Sequence, residues 1–305
     1  MSVIFKFSLD QLRKQKPAKN VSYDNGFSLT GNNGSSLILI HGLTGTPNEM
    51  RFLANYFNKK GYSVICPRLA NHGQPLAVLK HTRWQEFYSS VRDHPEVRKA
   101  LQGCASGAGP VFVSGLSMGA LMALVLADEF KERISGVTCL APTLFYDGWN
   151  TPGARMFMPL ACTPLKYFFY FKEEPPYGIR SEAIQARVHK YYSNASLDHM
   201  ENVAQHGYPF YPVTQLYQMK LLVKYLSKRL LRMKTPVQLI QSKDDDMTSI
   251  KNSKYIYDLV KSEMKEMIFL YNSYHVISVD QERDIVAEKM EGFFSRILKS
   301  KEAHA

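Results

Sequence analysis

Short apolar runs alternate with longer amphipathic runs along most of the chain, and no other feature of the sequence constrains its fold as strongly. The apolar runs have the length of strands, and several are rich in valine and isoleucine, as is typical of strands covered on both faces. They cover residues 36–40, 62–66, 110–114, 136–140, 237–241 and 266–271. Because strands alternating with helical patterns indicate βα units, the sequence predicts an α/β protein with a mostly parallel central sheet.

The segments between these runs carry apolar residues at helical spacing, which predicts helices flanking the sheet. These segments are 48–60, 83–101, 118–131, 251–262 and 282–298. Gly61 directly follows the first of them and is a suitable helix stop. Before residue 33, Asn-Gly and Gly-Asn pairs fit an antiparallel hairpin.

Residues 142–212 interrupt the alternation and are dense in proline and aromatic residues. A connection this long is expected to be a subdomain or a functional lid rather than a structureless loop. We therefore predict a core made of residues 1–141 and 213–305, with residues 142–212 inserted as a cap. A total of 305 residues, 45% of them hydrophobic, suffices for one large domain with such an insertion.

Composition narrows the classes of partner and location. No apolar run approaches the ~20 residues that cross a bilayer, and the first residues lack the apolar stretch of a signal peptide, so a cytoplasmic location is expected. The net charge of +11 is spread along the chain without a nucleic-acid-binding signature, so we expect a solvated basic surface and no nucleic-acid partner. Segment 220–234 is amphipathic and basic; a core helix is favoured, while transient contact with a lipid surface stays open.

The four cysteines form no CxxC pair and have no metal-ligand spacing with histidine. Reduced thiols and no metal site are expected.

The sequence GLSMG at 115–119 is the strongest chemical signal. It follows the apolar run 110–114 and opens the helical segment 118–131, which is the strand–turn–helix setting of a GxSxG nucleophile elbow. In such a turn, glycines allow a close approach of strand and helix, and the serine hydroxyl is presented at the end of the sheet. Ser117 is therefore the candidate nucleophile.

A serine hydroxyl needs an adjacent base, and this type of site supplies serine, acid and histidine in that chain order. Asp244, Asp245 and Asp246 follow the next-to-last predicted strand, and their position alone does not select one of them. His275 lies just past the last predicted strand, before the last predicted helix, where an imidazole can reach both partners.

The loop after the first predicted parallel strand reads HGLTG at 41–45 and is expected to complete an oxyanion site. The backbone N–H groups of Leu43 and Met118 would stabilise the oxyanion, each typically by ~2.7–4 kcal/mol. His41 is expected to brace this loop, and the element Asn-His-Gly at 71–73 is expected to be a structural turn.

Taken together, these stretches resemble the bacterial carboxylesterase and monoacylglycerol lipase group of the α/β-hydrolase superfamily. The matching stretches are LILIHGLTGTPNEM at 37–50, GLSMGALMAL at 115–124, QSKDDDM at 241–247 and YHVISVDQERD at 274–284.

The resemblance implies an α/β-hydrolase fold with a cap, no cofactor, a catalytic triad of Ser117, Asp245 and His275, and oxyanion donors Leu43 and Met118. Asp245 is the acid chosen because the family pattern places a small residue three positions before it, where Ser242 stands.

We expect this enzyme to be a serine carboxylic-ester hydrolase that forms an acyl-enzyme on small-molecule acyl esters, such as monoacylglycerols or other lipid-like esters. An aromatic cap containing methionine favours an acyl chain over a highly polar acid. A thioesterase or a lysophospholipase with the same triad is an alternative. A catalytically silent binding protein on the same fold is another, although all three triad positions are filled. The oligomeric state is left open by the sequence.

Overall fold

A computed structural model of the protein describes residues 26–103, 109–151, 159, 161–194 and 200–303. Its strands are β1 (Gly26–Leu29), β2 (Ser36–Ile40), β3 (Ser63–Pro67), β4 (Val111–Leu116), β5 (Ile134–Leu140), β6 (Tyr170–Lys172), β7 (Phe210–Pro212), β8 (Val237–Ser242) and β9 (Lys265–Leu270). All the strands predicted from the sequence are present, with small shifts at their ends.

The helices lie mainly between successive strands of the sheet. They are α1 (Arg51–Lys59), α2 (Leu76–Leu79), α3 (Trp84–Arg92), α4 (Pro95–Gln102), α5 (Met118–Glu129), α6 (Glu182–Asn194), α7 (Met200–His206), α8 (Val213–Leu230), α9 (Lys251–Leu259) and α10 (Arg283–Glu302). Short 3-10 helices occupy Pro47–Met50 and Pro164–Phe168.

One seven-stranded sheet organises the molecule, in the order β1-β3-β2-β4-β5-β8-β9. Every neighbouring pair is parallel except β1, which is antiparallel to β3. The predicted mostly parallel sheet is confirmed. Because parallel strands end at one edge, the loops after β2, β4, β5, β8 and β9 meet there.

Apolar packing covers both faces of this sheet. On one face, α5 lies between the sheet and α8, and residues 118–127 are therefore buried on every side of the helix. On the other face, α1 and α10 pack together, and the rings of Phe112 and Phe294 stack with centroids 4.1 Å apart. This rigid double-sided core fixes the ends of the strands that carry the site.

The described residues between β5 and α8 add a second, two-stranded sheet. Strands β6 and β7 pair antiparallel, and the side chains of Tyr146, Phe171 and Tyr211 share a small apolar cluster with Leu216 of α8. The Tyr208 hydroxyl donates to the carbonyl oxygen of Gln74 at 2.6 Å, which ties the residues before β7 to the loop before α2.

One sequence prediction about local structure is wrong. Segment 83–101 is two helices rather than one, because the chain turns at His94 and Pro95 begins α4, where its missing N–H costs no hydrogen bond. The hairpin that fits the sequence before residue 33 falls largely on residues 1–25, which lie outside the described part of the chain, and β1 pairs antiparallel with β3.

Segment 220–234 is confirmed as part of a core helix, since Leu222, Leu226 and Leu230 of α8 are buried. Among the helices that the structure describes, none is long and apolar enough to cross a membrane. Cys66, Cys139 and Cys162 are free thiols, and Cys104 lies outside the described residues.

Candidate active site

Ser117 occupies a sharp turn between β4 and α5, with φ 58° and ψ −116°. This left-handed backbone is strained for a residue with a side chain. A Cβ atom at Gly115 would lie 2.2 Å from the carbonyl carbon of Gly119, and one at Gly119 would lie 2.3 Å from the carbonyl oxygen of Ile40. Both glycines are therefore required for strand and helix to approach closely enough to present Ser117 at the strand-end edge.

His275 and Asp245 form a buried pair on neighbouring loops after β9 and β8. The His275 Nδ1 atom lies 2.9 Å from Asp245 Oδ2 and 3.1 Å from Oδ1. The same carboxylate accepts the backbone N–H groups of Met247 and Thr248 at 2.9 and 2.8 Å, and the Thr248 hydroxyl at 3.0 Å. These donors hold the carboxylate in a fixed orientation toward the imidazole.

The neighbouring aspartates lie in different environments. Asp244 is exposed and pairs with the Arg180 guanidinium at 3.0 Å. Asp246 is buried, and burial raises the pKa of its carboxyl to about 6. Asp245 is the aspartate that contacts His275.

Electrostatics favour a basic imidazole. Burial lowers the pKa of His275, but the negative charge of Asp245 and its hydrogen bond, together with the carboxylates of Asp246 and Glu49, more than offset it. The pKa of His275 therefore stands above its ordinary value.

The hydroxyl of Ser117 is paired with Thr143 rather than with His275. Ser117 Oγ lies 2.9 Å from Thr143 Oγ1, and the Thr143 hydroxyl is 3.4 Å from the carbonyl oxygen of Ala141. Among the described residues, the buried Nε2 atom of His275 has no hydrogen-bond partner. Ser117 and His275 thus line the same cavity, and no hydrogen bond joins their side chains.

The loop after β2, which carries Leu43, is braced from several sides. The Gly42 N–H donates to Glu49 Oε2 at 3.1 Å, and His72 Nε2 contacts the carbonyl oxygen of Leu43. Leu69 N–H donates to His41 Nε2 at 3.1 Å, so His41 Nδ1 is the protonated nitrogen and donates to the carbonyl oxygen of Gly42 at 2.8 Å.

Both bracing histidines are buried, and burial disfavours their charged form. Burial places the pKa of His41 well below its ordinary value and lowers that of His72 to about 4. The predictions that His41 braces the loop and that His72 is structural are confirmed.

The loop and the nucleophile turn are adjacent. A Cβ atom at Gly42 would lie 3.7 Å from Ser117 Cβ, and Met118 is the first residue of α5. Gly42, the residue before Leu43, therefore approaches the Ser117 side chain, and Met118 directly follows Ser117 in the chain.

The cavity over Ser117 has a volume of about 230 Å³ and is lined by the strand-end loops and by the chain between β5 and α8. Two half-buried carboxyls line it, Glu49 and Glu173, and desolvation raises the pKa of each to about 7. Glu173 accepts from the Thr44 hydroxyl at 2.7 Å and from the Tyr192 hydroxyl at 3.4 Å. In the described part of the chain, no cluster of His, Cys, Asp or Glu side chains is arranged to hold a metal ion.

Sequence reasoning missed Thr143, Glu49 and Glu173. Thr143 follows the carboxyl end of β5, and ligands bind at the carboxyl ends of the strands in open parallel sheets. This position could have marked Thr143 as a candidate site residue. Glu49 stands inside the stretch that resembles the family. Glu173 lies in a region without periodicity, and no pattern marks it.

Comparison with known proteins finds relatives of this chain among lipases and esterases. A Bacillus species (strain H-257) protein described as a thermostable monoacylglycerol lipase is 27% identical, over 85% of this chain and 90% of that relative. A Bacillus subtilis (strain 168) carboxylesterase is 25% identical, over 86% of this chain and 93% of its own length. A solved structure of Paleococcus ferrophilus monoacylglycerol lipase has a TM-score of 0.69 at 18% identity, covering 88% of this chain and 97% of that one.

These matches confirm the α/β-hydrolase fold and the resemblance to the carboxylesterase and monoacylglycerol lipase group, and they define a serine hydrolase of the esterase and lipase class. A family model described as serine aminopeptidase, S33, matches residues 31–282, and the chain belongs to that family.

Proposed function

We propose that the protein is a serine carboxylic-ester hydrolase that works through an acyl-enzyme, with Ser117 as nucleophile, His275 as general base and Asp245 as its orienting acid. The observation that carries this proposal is the buried His275–Asp245 pair: His275 lines the same cavity as Ser117, and its Nε2 has no hydrogen-bond partner among the described residues. A nucleophile, a base and an oriented carboxylate are the parts that acyl transfer requires.

The reaction begins with rotation of the Ser117 hydroxyl from Thr143 toward His275 Nε2. His275 removes the serine proton while Oγ attacks the ester carbonyl, and the N–H groups of Leu43 and Met118 hold the oxyanion. The tetrahedral intermediate expels the alcohol, which takes the proton from His275. Water, activated by the same imidazole, then hydrolyses the acyl-enzyme and releases the carboxylic acid.

The lining of the cavity supports a lipid-like ester with a hydroxyl-bearing alcohol, such as a monoacylglycerol. Apolar side chains, among them Ile179 and Val276, suit an acyl chain. Glu173, the Tyr192 hydroxyl and Glu49 offer hydrogen-bond partners to alcohol hydroxyls. One relative is described as a monoacylglycerol lipase, in line with this substrate class.

We also propose that residues 142–212 act as a cap on a core of residues 1–141 and 213–305. Support comes from the cavity, which has Glu173, Tyr177 and Tyr192 from this segment opposite Ser117 and His275 from the core. Such a cap would exclude water from the acyl-enzyme and select the substrate.

The test is hydrolysis of a panel by wild type and Ser117→Ala: p-nitrophenyl esters from acetate to palmitate, monoacylglycerols, an acyl thioester and a lysophospholipid. Wild type should hydrolyse the oxygen esters best, and Ser117→Ala should lower kcat by on the order of 10⁴–10⁶. The control is Ser114→Ala, because the buried Ser114 hydroxyl has no hydrogen-bond partner among the described residues and should be dispensable.

Several outcomes would contradict the proposal. Equal activity in wild type and Ser117→Ala would exclude Ser117 as nucleophile. Absence of hydrolysis, with no labelling by a fluorophosphonate probe, would indicate a silent binding protein. A preference for the thioester or the lysophospholipid would replace the proposed substrate class while leaving the chemistry intact.

A further inference from the structure

A second cavity, of about 570 Å³, lies beside the catalytic one. It is formed by the loop after β5 and one side of α8, and its walls are mainly apolar: Leu144, Leu216, Met219 and Val223. The exposed Lys220 and Lys251 also border it. This lining suits a hydrocarbon chain better than a polar ligand.

Tyr146 is the described residue that the two cavities share. Its side chain is buried and packs in one apolar cluster with Phe171, Tyr211 and Leu216. No described residue hydrogen-bonds to its hydroxyl, so packing alone holds the ring in place. The Tyr146 side chain therefore stands as a wall between the space over Ser117 and the apolar space beside α8.

The two volumes indicate why this wall matters. Pockets that bury a small ligand usually measure about 300–1,000 Å³, so the catalytic cavity, at about 230 Å³, falls short for an ester with a long acyl chain. The neighbouring cavity, at about 570 Å³, falls within that range. Joining the two would lengthen the acyl site without any change to the residues around Ser117.

We infer that Tyr146 closes the acyl end of the catalytic cavity and so limits the length of acyl chain that the enzyme accepts, and that the second cavity is the space a longer chain enters when Tyr146 is removed. This inference rests on the proposed ester hydrolysis. It makes Tyr146 a specificity-determining residue that takes no part in bond cleavage.

The experiment measures kcat/KM for p-nitrophenyl esters from acetate to palmitate in wild type, Tyr146→Leu and Tyr146→Ala. In wild type, kcat/KM should rise with chain length and then stop rising before palmitate. In the variants the rise should extend to longer chains, by about fourfold per additional buried methylene, which corresponds to ~0.8 kcal/mol each. Activity on acetate should stay within about twofold of wild type, because the shortest acyl group does not reach the wall.

Two further variants separate this account from general loosening of the site. Tyr146→Phe keeps the ring and should retain the wild-type chain-length profile, because the hydroxyl has no described partner. Val223 lies on the half-buried side of α8, and Val223→Trp should fill the second cavity. Alone, this substitution should leave the wild-type chain-length profile of kcat/KM unchanged. Combined with Tyr146→Ala, it should cancel the gain in kcat/KM on long-chain esters. Circular dichroism melting of each variant checks that the fold is kept.

The outcomes are distinguishable from failure of the proposed function. If no ester is hydrolysed by wild type, the function itself is wrong. If wild type hydrolyses the acetate ester and its kcat/KM keeps rising up to the palmitate ester, Tyr146 does not limit the acyl chain, and the inference is wrong without any variant being needed. An unchanged chain-length profile in folded Tyr146→Leu or Tyr146→Ala, or a gain that Val223→Trp does not cancel, also overturns it.

Discussion

The proposed ester hydrolysis depends on the imidazole of His275 as its base. Burial alone would keep it neutral but weakly basic, while the Asp245 carboxylate 2.9 Å from Nδ1 stabilises the protonated form. The net effect is a raised pKa, which strengthens His275 as a base.

The raised pKa of His275 predicts the pH dependence of kcat/KM. The base must be neutral, so activity falls as pH drops through the raised pKa of His275, and the midpoint of this acid limb should lie above 6.5. Asp245→Asn removes the charge that raises this pKa, so the limb should move to lower pH and the plateau should drop about 10⁴-fold, as in the chymotrypsin-type triad. Steady-state kinetics between pH 5 and pH 9 measure both.

The control for this profile is Asp244→Asn, since Asp244 is exposed and pairs with Arg180 instead. Its limb and plateau should match wild type. An acid limb that stays in place in Asp245→Asn would show that Asp245 does not set the basicity of His275.

Several candidate site residues could be predicted because they directly follow predicted strands, in the chain order that a serine–acid–histidine site requires. Ser117 and His275 stand at strand ends that the apolar runs mark, and the family pattern selected Asp245 among three adjacent aspartates. Thr143 and Glu173 could not be predicted in the same way. Their roles depend on side chains that meet across long sequence separations, which no local pattern encodes.

At the scale of elements, the loop after β2 and the segment after α7 depend on each other. Tyr208 N–H donates to the carbonyl oxygen of Thr44 at 2.9 Å, and the Asn48 side chain donates to the carbonyl oxygen of Gln205 at 2.8 Å. The Leu43 N–H, a proposed oxyanion donor, is therefore held partly by the proposed cap.

Gly207→Ala tests this coupling. Gly207 has φ +93°, and a Cβ atom there would lie 2.5 Å from the carbonyl oxygen of Thr44. The substitution should lower the free energy of unfolding by about 1–3 kcal/mol and should also lower kcat, because the loop that carries Leu43 must shift. Urea unfolding and kinetics on a short-chain ester measure the two effects.

The matched control is Gly292→Ala in α10, where the nearest other atom to a Cβ would be 3.8 Å away. It should stabilise the protein by about 0.5–1 kcal/mol without a change in kcat. Wild-type stability and activity in Gly207→Ala would show that the two elements are not coupled.

The strands β4 and β5 were predictable because each is an apolar run of strand length. The helix α8 was predicted only in part, since the amphipathic segment 220–234 misses residues 213–219 and runs past its end at Leu230. The break between α3 and α4 was missed, although Pro95 marks it, because the apolar period continues across the proline. The pairing of β1 with β3 was not predictable, since it depends on the sheet order rather than on the nearest turn.

At the scale of the whole molecule, the sheet collects chemistry from distant parts of the chain. The loops after β8 and β9 join Asp245 to His275, and His275 lines one cavity with Ser117 from the turn after β4. The class of reaction was predictable from these strand ends. The space that selects the substrate was not, because it is shaped by the packing of residues 142–212 against the core.

Ester hydrolysis through Ser117 requires that an acyl group become covalently attached to this serine during turnover. Rapid acid quenching of wild type with a p-nitrophenyl ester, followed by peptide mass spectrometry, detects such an attachment directly. We expect a mass increase equal to the acyl group on the peptide that contains Ser117, and no increase in Ser117→Ala. Continued turnover with the acyl group on another residue, or with no acylated peptide at all under conditions where deacylation limits the rate, would contradict it.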